Sequence, residues 1–430
     1  MFALTLWLCM WANLNTGFWN IQQPASVSDW QLLIRALLPF LVLPVAAIGL
    51  LARRTPIRLI ASPSGMLFAY GIFAAIATVF SPAPQASYYW SLAFLATILA
   101  GWTFVDRRNP VESTRLMLYA TWAGTFIVAA IVAYQGRNGI FGGASTAYGI
   151  IGEMNGLTRS SGVARWAAVP GLVCIVRAFH TRRIALIGIY VGIATIAFFI
   201  VYRVQSRGAV FGAAAALIFI LLISSRMRRY ALPFAAVAMV ALALIETPEV
   251  LSNRISVYLH RGQTAQQFES MTGRTRAYEH GLTAFEEAPI FGYGQWADRL
   301  AIGEHVHNSY LSAMLNGGTA GAIPYFASWL AGWWLFFGLH KRRTRLAPED
   351  RISLLECGVV MMFFTVRAIP ETTTAEFSVD LLVMVAVYVY LETLRRQMRL
   401  SRNWVLLQLP QLNFLDQAAT LIANSNRGSL

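Results

Sequence analysis

The chain has 430 residues, of which 57% are hydrophobic and 13% are charged, and its formal net charge is +14. Soluble domains carry about 25% charged residues, so this composition excludes an ordinary soluble protein and indicates a membrane protein. Lys341 is the only lysine, so arginines supply nearly all of the positive charge. This balance fits positively charged cytoplasmic loops better than a nucleic-acid-binding surface, and we expect no nucleic-acid partner.

About twelve apolar segments follow one another along the chain, and most approach the roughly 20 residues that cross a bilayer. They lie near residues 1–12, 31–51, 64–81, 88–105, 115–134, 166–179, 184–202, 209–224, 230–246, 309–339, 352–369 and 377–394. We therefore predict an all-α polytopic integral membrane protein with about twelve transmembrane helices and a single membrane domain over residues 1–430. The first segment lacks the basic start and the cleavage site of a signal peptide, which favours a short membrane helix.

Basic clusters follow every second apolar segment, at residues 52–58, 106–108, 180–183, 224–229, 340–345 and 394–399. Because cytoplasmic loops are enriched in basic residues, this alternation predicts that both termini and the tail 403–430 are cytoplasmic. The remaining loops then face outward, and the longest of them spans residues 247–307. Within it, residues 275–288 have apolar side chains at helical spacing and predict an amphipathic helix on the membrane surface.

Arginines are frequent in these outward loops, where the positive-inside rule predicts few. They are Arg137, Arg159, Arg165, Arg207, Arg254, Arg261, Arg274, Arg276, Arg299 and Arg367. Arginine stays charged and binds phosphate through a bidentate fork, which favours an anionic ligand such as a lipid phosphate or pyrophosphate. The alternative is that they contact headgroups or pair with outward carboxylates, for example Glu269, Glu279, Glu286 and Glu287. Arg207 is the strongest candidate for a direct role, because it ends a span beside Gly208.

The stretch GEHVHNSYL at residues 303–311 places two histidines just before an apolar run. Histidine titrates near neutral pH, so one of them could act as a general base, and we favour His307 over His305. The alternative is a capping or interfacial histidine. On a helix, residues two apart point in different directions, so the pair suits zinc badly. The chain has no Asp-x-Asp pair and no phosphate-binding Gly-rich loop, and we expect phosphate chemistry that uses arginines and neither a metal nor a cofactor.

Four stretches resemble the bacterial O-antigen ligases and polymerases, in the order that this family shows. They are TRSSGVARWAA at 158–168, QSRGAVFGA at 205–213, TGRTRAYEHGLTAFEEAPIFGYGQ at 272–295 and HNSYLSAMLNGGTAGAIPYF at 307–326. In the first stretch the family continues with an Asn- or Pro-containing turn, whereas this chain has Arg165 and Trp166. The resemblance covers residues 160–330 in motifs and the whole chain in topology.

The resemblance implies a glycosyltransferase of the bacterial inner membrane whose active site faces the periplasm, so that residues 247–307 form a periplasmic loop. The donor would be a glycan on undecaprenyl pyrophosphate and the acceptor the lipid A-core, with both substrates held in the lipid bilayer. His307 would be the catalytic base. The arginines that would hold the pyrophosphate are Arg207 and Arg274, with Arg159 and Arg276 as weaker candidates.

We expect Asn308, Tyr293 and Tyr310 to contact substrate, although aromatic residues at this level are more often part of the interfacial belt. The predicted reaction is a metal-independent, inverting transfer of O-antigen to a core sugar hydroxyl. An O-antigen or exopolysaccharide polymerase that uses the same donor is the alternative, and a protein O-glycosylating enzyme or a lipid-linked glycan transporter is a weaker one.

Overall fold

The computed structural model describes residues 1–14, 30–52, 62–105, 109–135, 137, 140, 160–229, 248–260 and 274–400. These residues form helices joined by turns and contain no β-strand, which confirms the all-α class. The main helices are α1 (Phe2–Ala12), α2 (Trp30–Ala52), α3 (Pro63–Ala77), α4 (Pro84–Trp102), α5 (Pro110–Gln135), α6 (Ser160–His180), α7 (Ile184–Arg203), α8 (Arg207–Ile223), α9 (Pro248–His260), α10 (Arg274–Glu287), α11 (Ala297–Leu300), α12 (Ser309–His340), α13 (Pro348–Arg367) and α14 (379–400).

Five helices of the described chain are long and apolar enough to cross a membrane, by length and composition. They are Pro63–Phe80, Pro110–Tyr134, Gly162–His180, Ile184–Arg203 and Ser309–His340. The chain is thus a helical membrane protein. The number of about twelve spans stays a prediction, because the predicted segment 230–246 lies outside the described residues.

The described residues of the segment 247–307 contain three helices, α9, α10 and α11. Helix α10 covers the residues predicted to form an amphipathic helix, and it buries Ala277 and Gly281. A Cβ at Gly281 would lie 2.8 Å from Leu311 Cδ2, so α10 packs closely on the start of α12. Residues 261–273 and the tail 403–430 lie outside the described residues, and the side of the membrane on which each lies stays a prediction.

Close helix pairs form the body of the protein: α3 packs on α12, α6 on α7, α8 on α13 and α2 on α4. Lipid tails are as apolar as the helix surfaces, so helices in a membrane associate through tight contacts at small residues. A Cβ at Gly212 of α8 would lie 3.0 Å from Phe363 of α13, and one at Gly171 of α6 would lie 3.0 Å from Ala197 of α7. These glycines therefore set the close spacing of two of the pairs.

Helix α12 is broken at Gly318, where φ is 58° and ψ is −161°. The segment 289–294 lies against the break and replaces the hydrogen bonds that the helix loses there. The replacement bonds run from Tyr293 N to Leu315 O (2.8 Å), Gly294 N to Asn316 O (2.9 Å), Thr319 N to Pro289 O (2.8 Å) and Ala320 N to Ile290 O (3.1 Å). Because unpaired backbone groups are costly away from water, this exchange stabilises the break and holds segment 289–294 against α12.

Replacing Gly318 by alanine is expected to destabilise the protein strongly. The new Cβ would lie 2.2 Å from the carbonyl carbon and oxygen of Ile290. The φ/ψ pair of Gly318 lies in a region that essentially only glycine adopts, which adds a cost of roughly 1–3 kcal/mol for a residue with a Cβ. Thermal unfolding of the purified protein in detergent should show a clearly lower midpoint.

Gly338→Ala is the matched control for this variant. Gly338 is exposed in the same helix, and no heavy atom lies within 4 Å of its added Cβ. Alanine favours the helix over glycine, so this variant should keep or slightly raise the midpoint. Equal midpoints for the two variants would contradict our account of the break.

Candidate active site

One end of the helical body brings together three segments that carry predicted site residues. These are the turn before α8, the start of α10 and the connection 301–308 that leads into α12. All three lie against the connection 368–378, which joins α13 to α14. Helix α6 ends at the arginine-rich stretch 180–183, and a second such stretch, 340–345, lies between the end of α12 and the start of α13. The candidate site therefore lies at the end of the body opposite to these basic connections.

Glu371 is the residue around which the predicted groups meet. Arg274 donates from one guanidinium nitrogen to Glu371 Oε1 at 2.9 Å and from another to the Pro370 carbonyl at 2.7 Å. His307 Nδ1 lies 3.4 Å from the second oxygen, Oε2, of the same carboxylate. A Cβ at Gly208 would lie 3.1 Å from Pro370 Cγ, which places the neighbouring Arg207 at the same connection. Arg274 and His307, which are far apart in sequence, thus share one carboxylate, and Gly208 next to Arg207 packs on the same connection.

The charge state of Glu371 follows from these neighbours. Burial by itself would raise the pKa of this carboxyl group. The hydrogen bond from His307 and the charges of Arg367 and Arg274 outweigh burial and hold the pKa of Glu371 well below its usual range. Glu371 is therefore an anion that orients both Arg274 and His307.

His307 is held in an unusual backbone conformation. Its φ is 48°, and among the described residues only two other non-glycine residues, Gln205 and Trp296, also have positive φ. Such conformations cost free energy and concentrate where the surrounding structure fixes a side chain for function. Gln205 and His307 lie in two segments of the candidate site, and Trp296 lies two residues before Asp298, which contacts His305.

Hydrogen bonds within the first turn of α12 and to the connection 368–378 fix the start of α12. The side chain of Asn308 caps the helix by accepting from the amides of Tyr310 and Leu311, both at 2.9 Å, and its amide group donates to Ile369 O at 3.0 Å. Ser309 Oγ donates to Glu371 O at 3.1 Å. These bonds hold His307 beside Glu371, and they give Asn308 a structural role whether or not it also contacts substrate.

A second ionic cluster lies behind His307. His305 Nδ1 is 2.5 Å from Asp298 Oδ2, and Arg299 bridges Asp298 and Glu376 at 3.3 and 3.0 Å. Burial lowers the pKa of His305 to about 3, and the charge of Arg299 adds to this, so His305 is neutral. Burial also raises the pKa of Asp298 and of Glu376, although Arg299 opposes both shifts.

The two histidines are close together, which differs from the expectation based on helical spacing. Their ring centroids are 4.1 Å apart, because residues 301–308 form a non-helical connection and α12 begins only at Ser309. One ligating atom each from His305, His307 and Glu371 lie within 4.8 Å of one another. The helical spacing from which we inferred that the pair suits zinc badly does not apply here, because both histidines precede the first residue of α12.

Arg165, the departure from the family pattern in the first motif, has a clear partner. Asp380 Oδ2 accepts from Arg165 at 3.1 Å and from the fully buried Arg367 at 2.9 Å. Arg165 also lies over the ring of Trp166, with its guanidinium carbon 5.4 Å from the ring centroid. Two of the outward arginines thus share one buried carboxylate in a structural cluster beside the site.

The remaining predicted residues are less central. Tyr293 is half-buried, and its hydroxyl donates to Ala284 O at 3.1 Å. Tyr310 stacks on Phe326 at a centroid distance of 5.4 Å. Arg276 is exposed two residues along α10 from Arg274, so its side chain leaves the helix in a different direction. Arg159 lies outside the described residues.

Sequence reasoning missed the acidic half of the site. The carboxylates that we named as alternative arginine partners lie in 247–307, whereas the observed partners Glu371, Glu376 and Asp380 follow α13. The available signal was the run RAIPETTTAEFSVD at residues 367–380, in which three carboxylates follow a buried arginine at one end of an apolar segment.

Comparison with known families gives one result that bears on this site. The family model described as O-antigen ligase matches residues 192–326. The match contains Arg207, Arg274 and His307, whereas Glu371 lies outside it. No curated protein matches the chain. The predicted resemblance is thereby confirmed for residues 192–326 of this helical membrane protein, which match the O-antigen ligase family model.

Proposed function

We propose that the protein transfers O-antigen glycan from undecaprenyl pyrophosphate to a sugar hydroxyl of lipid A-core, at the periplasmic face of the bacterial inner membrane. The observation that carries this proposal is the meeting of Arg274, His307 and the Arg207 turn at the Glu371 connection. The family match supports chemistry of the O-antigen ligase type. The half-buried positions of these groups, and the contacts of Arg274 and His307 with Glu371, support a site that is organised before substrate binds.

The arginines are suited to hold the pyrophosphate of the donor. A guanidinium has five N–H donors. Arg274 uses two of its nitrogens on Glu371 and Pro370, which orients the group and leaves further N–H donors for phosphate oxygens. Arg207 would bind the same group from the start of α8, with Arg276 and Arg159 as outer contacts. Positive charge placed where the leaving oxygen becomes anionic stabilises the transition state, as a metal ion would.

The transfer step needs one base and one leaving group. The acceptor hydroxyl oxygen forms the new bond to C1 of the glycan, while the bond from C1 to the pyrophosphate oxygen breaks. His307 takes the hydroxyl proton, and the electron pair of the broken bond stays on the pyrophosphate. A single displacement of this kind inverts the anomeric centre. Glu371 holds the His307 ring and stabilises the imidazolium that forms, as the third member of a catalytic triad does.

The proposed substrate contacts have different strengths. Tyr293 and Tyr310 are half-buried aromatic residues that can pack against sugar rings near His307. Asn308 directly follows His307 in the sequence. Its side chain already caps α12 and donates a hydrogen bond to Ile369 O. We therefore rank the two tyrosines above Asn308 as contacts to the glycan.

Reconstitution tests the proposed activity directly. Purified protein would be incubated with lipid-pyrophosphate-linked glycan and with lipopolysaccharide that lacks O-antigen, and the products would be separated on a gel. A ladder of O-antigen joined to core supports ligation. Extension of the lipid-linked glycan itself, with unmodified core, would instead identify a polymerase, and no covalent product would favour a transporter.

Chelation is expected to leave this transfer intact. The proposed mechanism assigns the role of a metal to arginines, so EDTA should not lower the transfer rate in the same assay. Added Mg²⁺ should likewise give no increase after chelation. A large loss with EDTA that is restored by one divalent cation would contradict the arginine-based mechanism.

A further inference from the structure

We propose that His305, His307 and Glu371 form a binding site for a divalent transition-metal ion, with Zn²⁺ as the best fit, and that its occupation inhibits transfer. The inhibitory part of this inference rests on the proposed function, because it requires His307 to act as the base. The binding part rests on the geometry of the three side chains alone.

The donor set matches what zinc binds. Two imidazoles and one carboxylate, with a fourth position left open, are a ligand set that zinc sites use. One ligating atom from each of the three residues lies within 4.8 Å of the others, so small side-chain rotations bring all three to a common ion. The ring centroids of His305 and His307 are already only 4.1 Å apart, with the ring planes tilted by 59°. Imidazole also favours zinc over magnesium and calcium.

The surroundings of His305 resemble the outer shell of a metal site. A metal-binding histidine generally donates its other ring N–H to a carboxylate, which fixes the ring and raises its basicity. His305 Nδ1 contacts Asp298 Oδ2 at 2.5 Å, which leaves Nε2 for an ion. Asp298 is itself fixed, since its oxygens accept from the amides of Arg299 at 2.8 Å and Val306 at 3.3 Å.

A neighbouring group of three side chains offers a second possible donor set, and it is a weaker one. Asp298, His305 and Glu376 also have ligating atoms within 4.8 Å of one another. There, however, the guanidinium of Arg299 already contacts both carboxylates, at 3.3 and 3.0 Å. A cation thus fills that position already. In the first group Arg274 contacts Glu371 at Oε1, and Oε2 faces His307.

Occupation of the proposed site would remove the base, whichever nitrogen of His307 binds the ion. If Nε2 binds, its lone pair can no longer accept a proton. If Nδ1 binds, the single proton of the neutral ring lies on Nε2, so that nitrogen is a donor. The ion also draws Glu371 Oε2 away from its hydrogen bond with His307. Arg274, which contacts Oε1 of the same carboxylate at 2.9 Å, opposes a further cation, so we expect reversible rather than permanent occupation.

Metal binding would be measured first, without substrate. The purified full-length protein in detergent would be freed of metal and titrated with CoCl2, whose visible absorption reports ligand number and type, and then with ZnCl2 in competition. We expect one ion per chain at this site. His305→Ala and Glu371→Gln should each weaken binding at least about tenfold.

Two variants serve as controls for the binding measurement. His280 is exposed and pairs with Glu304 at 2.5 Å, outside the proposed ligand set, so His280→Ala should bind the ion as the unmodified chain does. Glu376→Gln tests the neighbouring group and should also keep binding. Absence of saturable binding, or binding that depends on Glu376 and not on Glu371, would overturn the proposed site.

Inhibition would then be measured in the transfer assay. Zn²⁺ should lower the transfer rate of the unmodified chain at least tenfold at saturation, and EDTA should restore it. Relative to its own rate without metal, His305→Ala should resist the same Zn²⁺ concentration. If Zn²⁺ binds through His305 and Glu371 but transfer continues, the site stands and the assignment of His307 as the base falls. If the ion does not bind but transfer proceeds, the proposed metal site is wrong and the proposed transfer activity stands.

Discussion

Replacing His307 is expected to reduce glycan transfer by about 10²- to 10⁴-fold, the usual contribution of general-base catalysis. The expectation follows from its place in the structure. His307 is the histidine beside Glu371, and the hydrogen bonds of Asn308 and Ser309 to the connection 368–378 hold it there. The transfer rate would be measured in detergent with saturating donor and acceptor, so that the loss reports the chemical step.

The choice of substitution matters because His307 has a φ of 48°. Alanine at this position would combine loss of the imidazole with backbone strain. Asparagine tolerates the left-handed region better, so His307→Asn removes the base and keeps the conformation. Both variants should insert and should unfold near the temperature of the unmodified chain, with asparagine the closer of the two. His280→Ala, a histidine change outside the site, should transfer at the normal rate. Normal transfer by His307→Asn would refute the assigned base.

Much of the architecture was accessible from sequence because membrane helices have a strong local signal. Apolar length and the amphipathic spacing of residues 275–288 depend only on neighbouring residues, and α10 lies within one residue of that range. The bond exchange at Gly318 was not accessible in the same way. It pairs segment 289–294 with residues 315–320, and no local sequence pattern predicts that the helix breaks there or that this segment bonds to the break.

In the candidate site, too, the residues with a local sequence signal could be predicted and the long-range contacts could not. Arg207, Arg274 and His307 could be selected because an arginine or a histidine is conspicuous in an apolar chain and because each lies in a recognisable motif. Glu371, the partner of Arg274 and His307, could not be selected in this way, because it is 97 residues from Arg274 and 64 from His307 in the sequence. The proximity of His305 and His307 was missed for a different reason, namely that the argument about their directions used helical spacing, whereas residues 301–308 are not helical.

The pairing of outward arginines also changes how their enrichment is understood. Arg165, Arg299 and Arg367 have carboxylate partners in the stretch 376–380, so for these three the simple explanation of structural ion pairing is correct. Such pairs hold the 368–378 connection in place. Arg274 differs from them, because its partner Glu371 is shared with His307. The sharing links anion binding to the base, and it separates a functional arginine from its structural neighbours.

The Arg274→Lys substitution is expected to reduce transfer by about 10- to 100-fold, which corresponds to the roughly 1.5–3 kcal/mol of a hydrogen bond to a charged group. Arg274 contacts Pro370 O and Glu371 Oε1 through two different nitrogens, and it must also present N–H groups to the pyrophosphate. An ammonium is a point charge on a flexible stem and cannot keep this fork geometry. The loss should therefore appear even though the charge is retained.

Arg207→Lys should show a similar loss for the same reason, and the double variant should show whether both residues act on one group. If both arginines bind the same pyrophosphate, the combined loss will differ from the product of the single losses, because their effects are coupled. Arg276→Lys changes an exposed arginine two residues along α10 and should cost much less. Thermal unfolding of each variant would separate loss of function from loss of fold. Equal, small effects at positions 207, 274 and 276 would mean that these guanidiniums only anchor the helix ends to headgroups, and the arginine-based mechanism would be wrong.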